Sequence, residues 1–223
     1  KKSFFDFLPK TAVALSNGDD KNGAVMLQNT AATKRTYALK SYADYKAIIL
    51  ENQLSGLLLK INDNEVWVKL IGTFNAYNLL AIYGTAIELG LESLEVLRLL
   101  SELESVSGRF QFIVSAQNIT AIVDYAHTPD ALDNVLNTIN DVRTQNEQLI
   151  TVVGCGGNRD KAKRPIMGGI ASDKSDKAIL TSDNPRDEEP NQIINDLLKE
   201  KRNNNYIIEL DRKKAIEQGI KML

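Results

Sequence analysis

One cysteine and one histidine among 223 residues exclude two kinds of chemistry at once. No internal disulfide can form, and no zinc site can be built from so few soft ligands. Any metal must be hard and held by oxygen. The apolar runs are short, as at 47–50, 57–59 and 121–123, whereas a bilayer-crossing helix needs roughly 20 apolar residues. Nor is there an excess of one charge. Lys and Arg number 27 against 29 Asp and Glu, a net of −2, so neither nucleic acid nor an anionic membrane is favoured as a partner. The first residues, Lys1-Lys2-Ser3-Phe4-Phe5-Asp6, have neither the apolar core nor the cleavage site of a signal peptide. These absences point to a reducing, cytoplasmic setting.

What is present is a globular composition, 43% hydrophobic and 25% charged, in a length that suits two modest domains. Residues 1 to about 70 read as β-rich, with short apolar or alternating runs at 11–15, 24–27, 35–39, 56–61 and 65–70 and turn formers between them. Two helices follow. Leu79, Leu80, Tyr83, Ala86 and Ile87 form the first stripe, closed by Gly90, and Leu94, Leu97, Leu100 and Leu103 the second. Ser105-Val106-Ser107-Gly108 reads as a hinge. Beyond residue 110, strands at 120–124, 149–153, 178–181 and 206–209 alternate with helices, beginning with one capped by Thr128 and Pro129. That rhythm predicts an α/β fold with a mainly parallel sheet. The chain begins with no visible first element and stops inside a helical pattern, so it reads as a piece of a larger protein.

In an open parallel sheet, ligands bind where strands end in loops. Three such loops stand out: Asp124-Tyr125-Ala126-His127-Thr128-Pro129-Asp130, Gly154-Cys155-Gly156-Gly157-Asn158-Arg159-Asp160, and Ser182-Asp183-Asn184-Pro185-Arg186. The glycines of the second loop allow close backbone approach to an anion, or simply a tight turn. They do not make a dinucleotide fingerprint, and no Gly-Lys pair of a P-loop occurs. His127 and Asp124 place polar groups at one strand end, although a lone histidine also serves structure. Arg159 and Arg186 offer two guanidinium forks suited to a carboxylate or phosphate. Asp187-Glu188-Glu189 reads as a solvated helix start.

Five blocks carry a resemblance: Gly72-Thr73-Phe74-Asn75-Ala76-Tyr77-Asn78, Ser107-Gly108-Arg109-Phe110, the run 124–132, the run 154–165, and Asp183-Asn184-Pro185-Arg186. In this order and at these separations they resemble the Mur ligase family, in particular its diaminopimelate-adding branch. The resemblance implies the later part of a central ATPase-type domain at 1–104, without its P-loop. A truncated, Rossmann-like C-terminal domain follows at 105–223. It also implies the activity: ATP activates the glutamate carboxylate of a UDP-N-acetylmuramoyl dipeptide as an acyl phosphate, which the amine of meso-diaminopimelate attacks. The implied setting is a cytoplasmic monomer engaged in peptidoglycan synthesis, with Mg²⁺ as cofactor and this piece inactive alone.

Site residues follow from the resemblance position by position. Asn75 and Asn78 face the adenine, Asp124 the ribose and His127 the nucleotide, while Arg109 reaches the phosphates from the hinge. Arg159, Asp183, Asn184, Pro185 and Arg186 clamp diaminopimelate. Lys1 matches the lysine that becomes a carbamate and a Mg²⁺ ligand. The alternatives are a lysine-adding or folylpolyglutamate-type relative, against which the Asp183–Arg186 run argues, and a nucleotide-binding Rossmann-like module.

Overall fold

Alternating apolar residues punctuated by turn formers build a mixed sheet in the first part of the chain. The computed structural model describes residues 1–117, 119–144, 146–200 and 203–223, which form two compact units, Lys1–Ser105 and Val106–Leu223. The first unit contains α1 (Lys2–Asp6), β1 (Val13–Asn17), α2 (Gly23–Met26), β2 (Thr33–Ala38), β3 (Tyr45–Gln53), β4 (Gly56–Ile61), β5 (Asn64–Val68), α3 (Thr73–Glu88) and α4 (Ser93–Glu102). Its strands lie in the order β1-β2-β3-β4-β5; the first two pairings are parallel and the last two antiparallel. Two-residue loops close both hairpins, and Asn62 in the second takes the left-handed φ of 52° that such a turn favours. Leu57, Leu59 and Ile61 of β4 are fully buried in one cluster with Leu79, Leu80 and Tyr83 of α3 and Val96, Leu97 and Leu100 of α4. Each such side chain contributes about 1.5–3 kcal/mol of burial.

Several expectations for this unit need correction. The run at 24–27 lies in the short helix α2, not a strand, because four apolar residues carry no usable period. In α4 the strict three-residue stripe drifts off the helix's 3.6-residue period. Leu94 is therefore 69% exposed, and Val96 joins Leu97 and Leu100 in the core. An α-helix also stands at the start of the chain, where no element was expected.

The second unit contains β6 (Gln111–Val114), β7 (Thr120–Val123), α5 (Pro129–Val142), β8 (Ile150–Val153), α6 (Lys163–Lys174), β9 (Lys177–Leu180), α7 (Pro190–Leu197), β10 (Tyr206–Ile208) and α8 (Arg212–Lys221). The strands β10-β9-β8 form a parallel three-stranded sheet. Val153, Ala178 and Leu180 of that sheet are buried with Leu132 and Leu136 of α5, Met167 and Ala171 of α6, and Ile193, Ile194 and Leu197 of α7. The Thr128 side chain accepts the Ala131 N–H, with Pro129 at the first helical position, as the sequence predicts. The α/β class and the parallel sheet hold. The strand at 120–123 departs from expectation: it pairs antiparallel with β6, a strand the alternating reading missed. Ser115 makes that pairing possible by closing the hairpin, its Oγ accepting the N–H groups of Gln117 and Ile119.

Among the described residues no helix is long and apolar enough to cross a membrane.

Candidate functional site

At the carboxyl ends of β8 and β9 two loops are locked to each other through backbone. Thr181 N–H donates to Val153 O at 2.9 Å and Gly157 N–H to Asn184 O at 2.8 Å. A Cβ at Gly154 would lie 2.3 Å from Thr181 O, and one at Gly157 only 1.8 Å from Pro185 O. The glycines thus serve the approach of one loop to the other. Arg186, at a left-handed φ of 50°, donates from Nη1 to Gly157 O at 2.6 Å. Its Nε and Nη2 make no hydrogen bond among the described residues, which leaves one edge of the fork for a carboxylate. Arg159 is exposed and unpaired among the described residues. From the start of α8, Arg212 donates to Ser182 O at 3.0 Å and lies 3.8 Å from Asp183 Oδ1. The five residues of the expected clamp therefore stand on two joined loops.

Beneath these loops lies a network the sequence reading did not find. Arg164, on the first turn of α6, is 0% exposed. It donates to both Glu188 oxygens at 3.0 and 2.8 Å, to Asp196 Oδ2 at 3.0 Å and to Gly156 O at 3.3 Å. Glu188 also accepts the Asn158 N–H at 2.6 Å and pairs with Lys161 at 2.9 Å. The supposed solvated run 187–189 is thus a joint, its middle carboxylate largely enclosed. Arg164, with Lys161 and the Asn158 N–H, holds the Glu188 carboxyl well below its ordinary 4.5. Lys199, with Arg164, lowers Asp196 from 3.8. Since both are lowered on folding, their stabilisation is complete above the ordinary values and is lost as pH falls through and below them. The melting temperature of the chain is expected to drop between about pH 5 and 3. A Glu188→Gln chain should show a shallower drop; an identical slope would remove Glu188 from the account.

At the end of β7, Asp124 accepts the N–H of Phe110 and of Ala126, both at 2.7 Å. Those bonds hold Phe110 at a φ of 46° and fold the chain so that Arg109 lies 4.2 Å above the Tyr125 ring. The His127 ring meets that tyrosine edge-on at 5.0 Å. His127 Nδ1 sits 3.0 Å from Tyr125 O, and Lys163 of α6 donates to His127 O at 2.6 Å. Arg109, Asp124 and His127 are brought together at one end of the β6–β7 hairpin, with Arg109 and His127 exposed and Asp124 half-buried.

Asn75 and Asn78 belong to the first unit. Asn75 is not a helix cap: Gly72 holds that position at φ 92°, and the Asn75 amide donates back to Ile71 O at 2.8 Å. Asn78 donates to Asn75 Oδ1 at 3.3 Å, so the two amides form one pair on one face of α3. Between them Tyr77 donates to Asp19, whose carboxylate also accepts the N–H groups of Leu39, Lys40 and Ser41. Burial and that carboxylate push the Tyr77 hydroxyl up to about 12. Helix α3 is thereby tied to the loops after β1 and β2. Lys1 is exposed at the start of α1. Among the described residues no three His, Cys, Asp or Glu side chains gather to hold a metal ion. An unmodified lysine is a cation and no ligand; only as a carbamate would Lys1 offer oxygen to a Mg²⁺ ion.

A family model described as the Mur ligase glutamate ligase domain matches residues 108–223, and one described as the Mur ligase middle domain matches 1–86. The chain belongs to the Mur ligase family. It is 57% identical over 219 residues to the UDP-N-acetylmuramoyl-L-alanyl-D-glutamate--2,6-diaminopimelate ligase of Phocaeicola vulgatus, covering 97% of this chain and 45% of that protein. The ligase of the same name from Parabacteroides distasonis is 60% identical over 198 residues, 89% of this chain and 41% of that one. The chain thus spans less than half the length of these curated Mur ligases. A solved structure bearing the same ligase name is 34% identical, with a TM-score of 0.59, and the match covers 92% of this chain and 44% of that one. A crystal structure of MurF from Acinetobacter baumannii, 16% identical with a TM-score of 0.77 over 100% of this chain and 48% of that one, shares the fold.

Proposed function

We propose that this chain supplies the amino-acid clamp and nucleotide contacts of a Mur ligase that adds meso-diaminopimelate to UDP-N-acetylmuramoyl-L-alanyl-D-glutamate. The reaction consumes ATP and belongs in the cytoplasm, in peptidoglycan precursor synthesis. One observation carries the reading: Arg186, oriented by Gly157 O on two interlocked loops, in a chain 57% identical to a ligase named for 2,6-diaminopimelate. Such a fork can take the far carboxylate of diaminopimelate as a bidentate pair and so aim the reacting amine. The glutamate carboxylate takes the γ-phosphoryl group of ATP; the amine then displaces phosphate from that acyl phosphate to give the amide. Arg109 is assigned to the phosphates, where a cation offsets developing charge. Asn75 and Asn78 are assigned to the adenine and Asp124 and His127 to the ribose and nucleotide.

The test is amide formation by the full-length ligase carrying this sequence, with diaminopimelate, lysine and glutamate offered separately. Diaminopimelate alone should be joined, with one phosphate released per amide; comparable use of lysine would overturn the reading. The Asp124 assignment has its own check. One hydrogen bond to a ribose hydroxyl is worth about 0.5–3 kcal/mol, so Asp124→Ala should raise the KM for ATP by roughly 2- to 150-fold with the diaminopimelate KM little changed. An unchanged ATP dependence in a folded variant would leave Asp124 as only the clasp of Phe110 and Ala126.

A further inference from the structure

Arg164 occupies a costly place for a guanidinium, wholly enclosed and 0% exposed. It cannot meet a substrate itself. A buried ion pair is poor value as a stabiliser, since hydrophobic side chains of like volume often serve as well or better. Its Nε is also buried without a hydrogen-bond partner, a further cost that a side chain placed for stability alone would avoid. What a hydrophobic residue could not do is hold three separate stretches of chain at fixed distances.

Those stretches are the loop after β8, through Gly156 O, the loop after β9, through Glu188, and α7, through Asp196. Glu188 returns the contact by accepting the Asn158 N–H. Each loop contains a non-glycine residue in the left-handed region, Asn158 at φ 52° and Arg186 at φ 50°. Such conformations persist only where the surroundings impose them. Gly156 directly precedes Gly157, whose carbonyl orients the Arg186 fork. A shift of the Gly156 carbonyl is therefore passed to that fork within one residue.

We infer that Arg164, acting through Glu188, is the positioning residue that sets the spacing of the two carboxylate-binding loops and hence the discrimination between diaminopimelate and lysine. The inference rests on the ligase reading above and concerns the same amino-acid site.

The experiment pairs Glu188→Gln, which keeps shape and removes charge, with Arg164→Lys, which keeps charge and removes the fork. In the full-length ligase, Glu188→Gln should raise the KM for diaminopimelate by about 10- to 100-fold with kcat and the ATP KM nearly unchanged. The preference over lysine should shrink in parallel. In the 223-residue chain itself, hydrogen exchange at the Asn158 and Gly157 amides should quicken at least about tenfold while the amides of β9 keep their protection. Arg164→Lys should act in the same direction; if it fails to fold, Glu188→Gln still decides. A lower melting temperature with unchanged diaminopimelate KM and unchanged loop exchange would make Arg164 merely structural and overturn the inference. An equal rise in the KM for ATP would overturn it too, by placing the effect outside the amino-acid site. If the wild-type ligase ignored diaminopimelate, the functional reading would fall, and the exchange rates alone would decide whether Arg164 and Glu188 hold the loops.

Discussion

Replacing Arg186 by alanine is expected to lower kcat/KM for meso-diaminopimelate by up to about 10⁴- to 10⁵-fold in the full-length ligase. The size follows from the chemistry of the far end of the substrate. Diaminopimelate and lysine share the reacting amine's surroundings and differ in a second carboxylate. A guanidinium held by Gly157 O at 2.6 Å would meet that carboxylate with little freedom left to lose, and a planar fork can pair with both oxygens. Once the fork is gone, the far carboxylate keeps only the exposed Arg159 as a cation. Lysine should gain little, because deleting a cation creates no acid to hold its ammonium. Arg186→Lys should recover only part of the loss, since an ammonium cannot reproduce both the bond to Gly157 O and a bidentate pair. Steady-state kinetics with each amino acid, at saturating ATP, gives the comparison. Loss of ATP and diaminopimelate binding together would make Arg186 a phosphate contact instead, and wild-type use of lysine would dispose of the clamp altogether.

The loops assigned to that clamp could be picked out in the chain because their residues are unusual wherever they fall. Asp183-Asn184-Pro185-Arg186 and Gly154-Cys155-Gly156-Gly157 follow apolar strands, and strand ends are where an α/β sheet keeps its ligands. The parallel core of the second unit was legible from pattern: β8, β9 and β10 are short apolar runs separated by helices. The β6–β7 hairpin was not, since antiparallel partners need only a short loop and β6 has just four residues. The phase of α4 was misread because a three-residue spacing and a 3.6-residue period agree for only about one turn. Harder still was Glu188. Between Asp187 and Glu189 it is one acid among three, and only the fold shows that its carboxylate faces a buried arginine 24 residues away in sequence. Long-range pairing of that kind leaves no local signal.

Gly157→Ala should also be damaging, although it removes no functional group. At Gly157 the backbone is not in the left-handed region, so the requirement is one of space. An added Cβ would stand 1.8 Å from Pro185 O and 2.6 Å from Pro185 C, and backbone atoms cannot yield as the tip of a long side chain can. Either the loop after β8 or the loop after β9 must move. Pro185 O also accepts the Glu188 N–H at 3.0 Å, so pushing it away loosens the turn that presents Glu188 to Arg164. The Gly157 N–H to Asn184 O bond at 2.8 Å would be pulled from the other side. A displacement of about 1 Å in a positioning element can cost roughly 10²-fold in rate. The expected result is therefore a fall in kcat/KM for diaminopimelate of at least about 10²-fold, with the KM for ATP little altered. Gly18→Ala is the control: its Cβ would meet only ordinary contacts, the nearest at 3.6 Å, and it should leave both constants unchanged. If Gly157→Ala matched that control, the two loops would not need their close approach. The clamp would then have to be explained by Arg186 and Arg159 alone.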